Sequence, residues 1–282
     1  MTETEPLRRN QTPVKVVALN DGVRSERPDV LATEEPLEIR VAGPGQDAAQ
    51  VAVTMRTPGG DYELAAGFLF TEGLLRPGEI RRVAYCDDVD DSAQRYNVVT
   101  VTLEREFDAG ALRRNFYATS SCGICGKAAL DDVELHCAPV GPGPEVQASV
   151  VLGLPEALRA GQKVFERTGG LHAAGLFTPQ GEPVCIREDV GRHNAVDKVI
   201  GEQLLAGNLP LSDRILQVSG RLSFEIVQKA AMAQIPVIAA VSAPSSLAVE
   251  AGERFGMTVI GFVRGGRLNV YAHPERLLFA SA

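Results

Sequence analysis

Tryptophan is absent from the 282-residue chain, and all aromatic residues together make up only 5% of it. A stacking platform for single-stranded nucleic acid is therefore poorly supported. Basic residues are also in the minority: 28 Lys and Arg against 36 Asp and Glu leave a formal charge of −8. Nucleic acids are bound by basic faces that displace counterions, so this balance argues against whole-surface nucleic-acid binding. It leaves room for a local cationic pocket that takes one anionic small molecule. Long apolar runs are missing too. The most apolar stretch, Ile235–Val241, runs directly into Ser242, Pro244 and two further serines, far short of the ~20 residues that span a bilayer. The first ten residues are polar and charged, with no apolar core of a secretory signal. The expectation is a cytoplasmic protein, not membrane-bound, with its thiols reduced. Its five cysteines, Cys86, Cys122, Cys125, Cys137 and Cys185, are odd in number. A chain this long buries a core without a disulfide scaffold.

The pattern along the chain predicts an α/β protein in two parts. Residues 1–12 read as a disordered lead. Residues 13–115 read as a smaller α+β N-terminal domain, with strands at Val14–Leu19, Leu37–Val41, Val51–Met55 and Val98–Leu103. One helix is expected there, N-capped by Asp61 and closed by Gly73. Residues 116–149 form a Cys-x-x-Cys loop and a Pro/Gly-rich linker. Residues 150–282 alternate apolar strands with amphipathic helices: a helix over Leu154–Arg167, strands at His172–Phe177 and Val184–Arg187, then helices over His193–Ala206, Ser223–Gln234 and Ser245–Arg254 between further strands. That alternation indicates a sheet covered on both faces.

The strongest local signal is Cys122-Gly-Ile-Cys125, followed by Gly126 and Lys127. Three chemistries suit it. Structural zinc needs two more ligands, and adjacent His136 and Cys137 are poorly spaced to supply both. Thioredoxin-like exchange wants the first cysteine at a helix start, whereas Ser120, Ser121 and the flanking glycines suggest a loop. Sulfur relay needs an accessible thiolate on a pliable segment, and Lys127 would favour the thiolate or persulfide anion. Cys86 and Cys185 look like small buried residues; Cys137 fits either description.

A second constellation is a set of turns that end strands: Arg187-Glu-Asp-Val-Gly-Arg-His-Asn194, Val218-Ser-Gly-Arg-Leu-Ser223, Val241-Ser-Ala-Pro-Ser-Ser246 and Phe262-Val-Arg-Gly-Gly-Arg267. In open α/β sheets such turns line the carboxyl edge, where ligands sit, and helix starts there offer free N–H groups to phosphates. Arg192, Arg221, Arg264 and Arg267 add bidentate anion grips. His193, near Asp189 and Arg192, is a candidate ligand contact, and His172 either orients its loop or packs. A zinc-dependent deaminase would require His-x-Glu followed by Cys-x-x-Cys. Here the sole Cys-x-x-Cys precedes the α/β half, which disfavours that class.

Several ordered segments together resemble a known family. They are Glu34-Glu-Pro-Leu37, Glu63-Leu-Ala-Ala-Gly-Phe-Leu69 with Glu72-Gly73, Cys122-Gly-Ile-Cys-Gly126, His172-Ala-Ala174 and Glu188–Lys198. Ser223–Ala230, Val241–Glu250 and Gly261–Tyr271 complete the set. They resemble the formate dehydrogenase accessory sulfurtransferases, the FdhD family, from about Val14 to His273. The resemblance implies a C-terminal cytidine-deaminase-like, three-layer α/β/α domain, without that fold's zinc site, and a homodimer. It implies relay of sulfur from a cysteine desulfurase, as a persulfide on Cys122 with Cys125 as partner. The acceptor would be the molybdenum (or tungsten) bis-pyranopterin guanine dinucleotide cofactor, Mo-bis(molybdopterin guanine dinucleotide), that formate dehydrogenase needs. By the same resemblance Phe262, Val263, Arg264, Gly265, Gly266 and Arg267 form the cofactor-binding segment, and GDP should serve as a surrogate for half the cofactor. The rival reading is a chaperone that hands over the cofactor without carrying sulfur.

Overall fold

The computed structural model describes residues 9–86, 96–108 and 137–279. Two strands, β1 (Gln11–Asn20) and β2 (Val23–Ala32), form an antiparallel ribbon closed by Asp21 and Gly22, both at positive φ. The ribbon begins inside the segment expected to be a disordered lead. β2 has no apolar alternation, because neither of its faces is deeply buried.

Next come β3 (Glu35–Ala42), β4 (Ala49–Arg56), α1 (Asp61–Thr71), β5 (Ile80–Tyr85) and β6 (Val98–Leu103). The four strands make one sheet in the order β4-β3-β6-β5, with β3 and β6 parallel. α1 is buried on nearly every side, which explains why its sequence is apolar all round and lacks a polar face. Asp61 does not cap it. Gly60, in the left-handed region at φ 69°, takes the N-cap, and Asp61 becomes the first helical residue. Its carboxylate is drawn to the fully buried Arg56 in a bidentate pair, Nε–Oδ1 3.0 Å and Nη2–Oδ2 2.7 Å.

The C-terminal half holds β7 (Val146–Gln147), α2 (Ala148–Gly161), α3 (Lys163–Thr168), β8 (His172–Phe177), β9 (Pro183–Asp189) and α4 (Arg192–Leu205). It continues with β10 (Ile215–Val218), α5 (Phe224–Met232), β11 (Val237–Ala240), α6 (Ser246–Phe255), β12 (Thr258–Arg264), β13 (Arg267–Ala272) and β14 (Leu277–Leu278). The single helix expected over Leu154–Arg167 is two, broken at Gln162. Six strands form a mixed sheet in the order β13-β12-β11-β10-β8-β9, with β10, β11 and β12 parallel.

Period-2 alternation splits these strands between two faces. Ala173, Phe177, Ile215, Val237, Ala239 and Ile260 pack with α2. Ala174, Leu176, Leu216, Val218, Ile238 and Ala240 pack with α4, α5 and α6. The second cluster does not stop at those helices. It runs on through α1 into the four-stranded sheet, including Leu37, Ile39, Leu64, Val99 and Val101. The two predicted parts therefore share one core.

Most of the segment predicted as linker that is described is fixed in place. Val140 N donates to the Phe255 carbonyl at 2.9 Å and Gln234 Nε2 to the Ala138 carbonyl at 3.0 Å. Arg276, buried near the C-terminus, donates to the carbonyls of Gly141 and Pro142. No helix among the described residues is long and apolar enough to cross a membrane.

Candidate functional site

The direction of the strands decides where the chemistry-bearing turns meet. β9, β10, β11 and β12 all point the same way, because β8 is antiparallel to both β9 and β10. The turns after Asp189, Val218, Ala240 and Arg264 therefore lie along one edge, and His172, which opens the antiparallel β8, joins them there. Two of the turns run side by side. Leu222 N donates to the Ala243 carbonyl at 3.2 Å, and Ser245 N to the Leu222 carbonyl at 2.9 Å. Ser245 caps α6 by accepting from Ala248 N. α4 begins without a side-chain cap, whereas at the start of α5 the Glu225 carboxylate accepts from Ser223 Oγ and from its own backbone N–H.

The Phe262–Arg267 segment ends β12 as a hairpin and opens no helix. Gly265 and Gly266 sit at φ 58° and 74°, the pair of positive values that a tight two-residue hairpin turn requires. Arg264 and Arg267 flank it, paired across the ribbon and exposed. Phe262 lies in a register shift at φ 55°, unusual for a bulky residue, and its N–H donates to the Ser242 carbonyl at 3.1 Å. The Arg264 guanidinium lies 5.6 Å from the centre of its ring. Val263 is fully buried against the α2 side of the sheet, so only its backbone is available to a ligand.

The Glu188–Lys198 segment divides differently from the sequence expectation. Asp189 and Lys198 are buried and 2.7 Å apart. Asp189 also accepts from the N–H groups of Thr57 and Gly191 and from Asn194 Nδ2, and Lys198 donates to the Thr57 carbonyl. Asp197 pairs with Lys229 at 2.9 Å and accepts from Thr71 Oγ1. Lys229 also reaches Glu72 at 3.1 Å. Burial opposes the charge on Lys229, but these two carboxylates outweigh it and raise its pKa. Arg187 and Glu63 form a two-pronged pair at 2.6 and 2.8 Å. The bonds to Thr57, Thr71, Glu72 and Glu63 join the N-terminal half to the C-terminal half. Sequence reasoning missed them because partners such as Glu63 and Arg187 lie far apart in the chain. The available signal was that these charged residues, apart from Arg187, fall inside the segments that carry the family resemblance.

What remains facing the edge is Arg192, His193, His172, Ser219 and Arg221. His193 Nε2 lies 3.1 Å from Ser223 Oγ and 3.8 Å from Glu225. Both partners meet the same ring nitrogen, so this is not a nucleophile–base–orienter relay. Burial, with Arg192 adding to it, pushes His193 down to about 4, so its ring is neutral at pH 7. His172 is lowered for the same two reasons. Ser219 is committed to the backbone, accepting from Ala173 N at 2.9 Å. Arg221 is exposed.

Cys122 and Cys125 lie outside the described residues. Cys137 and Cys185 are buried, as small core residues are; burial pushes the Cys137 thiol up to about 12 and raises Cys185 further. No cluster of metal-ligating residues occurs among the described residues. The His-x-Glu of the α/β half, His273-Pro-Glu275, is paired within itself at 2.7 Å.

A model of the FdhD/NarQ family matches residues 32–278. A sulfur carrier protein FdhD from Streptomyces avermitilis is 52% identical, covering 95% of this chain and 96% of that one. One from Sulfolobus acidocaldarius is 44% identical over 94% of this chain and 97% of that one. A crystal structure from Desulfotalea psychrophila, described as a formate dehydrogenase accessory protein, superposes with a TM-score of 0.74 at 26% identity, covering 96% of this chain and all of that one. The chain belongs to the FdhD/NarQ family.

Proposed function

We propose that this protein is a sulfurtransferase of the cytoplasm. It takes sulfur from a cysteine desulfurase as a persulfide on Cys122 and delivers it to the molybdenum bis-pyranopterin guanine dinucleotide cofactor of formate dehydrogenase. The observation that carries the reading is the gathering of four Gly-, Ser- and Arg-bearing turns on one sheet edge in a chain half identical to sulfur carrier proteins. The six-strand order and the two helix layers suit a cytidine-deaminase-like domain that binds a ligand at that edge without zinc. A cofactor with two guanine dinucleotides carries several phosphates and two purines. The exposed Arg264 and Arg267, the Gly265-Gly266 turn and the Phe262 ring suit a phosphate and a base, with Val263 contributing backbone only.

In the transfer step, Cys122 carries the outer sulfur through an S–S bond. The Cys125 thiolate attacks the Cys122 sulfur, that S–S bond breaks, and the outer sulfur leaves as sulfide to the metal of the cofactor. A Cys122–Cys125 disulfide remains, and a thiol reductant returns two electrons to reset the pair. A Cys122→Ala, Cys125→Ala protein should leave formate dehydrogenase inactive in cells that lack any other accessory protein of this family. Full activation by that variant would instead mean a chaperone that passes on the cofactor without handling sulfur.

A further inference from the structure

The buried network absorbs most of the charge near the edge but leaves one basic group over. Arg192 opens α4, where the positive end of the helix disfavours a cation. Its Nε is shielded from solvent and has no hydrogen-bond partner among the described residues. A guanidinium N–H in that position is costly unless an acceptor arrives. Gly220 brings three elements together beside it: a β-carbon there would lie 3.4 Å from His172 Nδ1 and 3.9 Å from Arg192 Cδ.

No ion pair neutralises Arg192 among the described residues; Glu225 feels its charge but spends its carboxylate on Ser223 and on its own backbone N–H. Asp189, which faces His172, is saturated by Lys198, Asn194, Thr57 and Gly191. Glu225, Lys229 and Glu72 face His193 along with Arg192. Glu225 is more than half exposed, and Glu72 and Lys229 are bound to each other.

We propose that Arg192, His172 and His193 form a phosphate-binding subsite on this edge, separate from the 262–267 turn, that takes a phosphate group of a guanine nucleotide. The proposal rests on the functional reading above. Arg192 supplies a permanent charge and an unfilled fork of donors. The two imidazoles are neutral without ligand, so the crevice avoids gathering three cations, and each gains a proton more readily once an anion is present. His172 opens β8 and Arg192 follows β9, three and four strand spacings from β12, or about 14–19 Å.

Binding of inorganic pyrophosphate to the full chain, followed by calorimetry, tests this without sulfur or guanine. Arg192→Met should weaken binding about tenfold or more, as loss of a charge-assisted contact does. Arg24→Gln, in the remote ribbon, should leave it unchanged. In the wild-type protein, followed by NMR, saturating pyrophosphate should raise the titration midpoint of His193 by about one pH unit. The NMR arm needs no variant to fold. Unchanged affinity in Arg192→Met, a fixed His193 midpoint, or no pyrophosphate binding by wild-type protein would each overturn the subsite. A Cys122→Ala protein that binds pyrophosphate normally but carries no sulfur separates failure of the subsite from failure of the relay.

Discussion

Gly67 of α1 and Gly201 of α4 face each other where the two helices cross, so closely that neither has room for a side chain. A β-carbon on Gly67 would lie 1.9 Å from the Asp197 carbonyl oxygen, and one on Gly201 would lie 1.8 Å from the Glu63 carbonyl oxygen. The obstacle in both cases is backbone, which cannot swing aside. This crossing joins the two sequence halves and sets α4, and so Arg192 and His193, against the sheet edge. Gly67→Ala and Gly201→Ala should each destabilise the protein by about 1–3 kcal/mol, measured by urea unfolding. A change below about 0.5 kcal/mol, the scale of a neutral surface substitution, would contradict the close crossing.

Among the described residues, Lys198 has no exposed outlet for its charge and is matched by Asp189 and two carbonyls. Lys198→Met should leave Asp189 charged, buried and without its counter-ion, at a cost of about 3–5 kcal/mol in chemical denaturation. The loss should persist in high salt, because the pair is screened from solvent.

His193 gives the acid limb of stability a definite sign. Its pKa is about 4 in the folded protein, below the ordinary 6.5, chiefly through burial. Between those values the unfolded chain holds a proton that the folded chain refuses. Stability is therefore lost as pH falls from about 6.5 through about 4. His193→Gln should flatten this part of the stability–pH curve, with little change at pH 8. An acid limb of unchanged slope would show that other groups carry it.

Cysteine reactivity should follow burial. At pH 8, iodoacetamide should leave Cys137 and Cys185 unmodified in the folded protein, since both thiols are held protonated by burial. Both should label once the chain is unfolded. Rapid labelling of either under native conditions, read by peptide mass spectrometry, would contradict their placement in the core.

The legibility of the chain follows burial. β8 begins and ends where the sequence places it, because it is a mainly apolar run between turn residues. Gly73, Gly169 and Gly256 close or follow helices at positive φ, as helix-stop glycines do. β2 was illegible because Val23–Ala32 packs little and so carries no alternation. The shared edge was legible from strand ends, but the division of labour within Glu188–Lys198 was not. Asp189, Asn194, Asp197 and Lys198 resemble exposed polar positions of a turn and the helix after it until their partners, Met55, Thr57, Thr71 and Lys229, arrive from other elements. Only tertiary packing separates them from Arg192 and His193.

The central claim is that sulfur travels on Cys122. The direct measurement is to incubate the full chain with a cysteine desulfurase and cysteine, then map the added sulfur by peptide mass spectrometry in wild-type, Cys122→Ala and Cys125→Ala proteins. The account predicts a one-sulfur increment on the Cys122 peptide in wild-type protein and its absence from Cys122→Ala. Full sulfur loading of Cys122→Ala, with neither loop cysteine required, would contradict it.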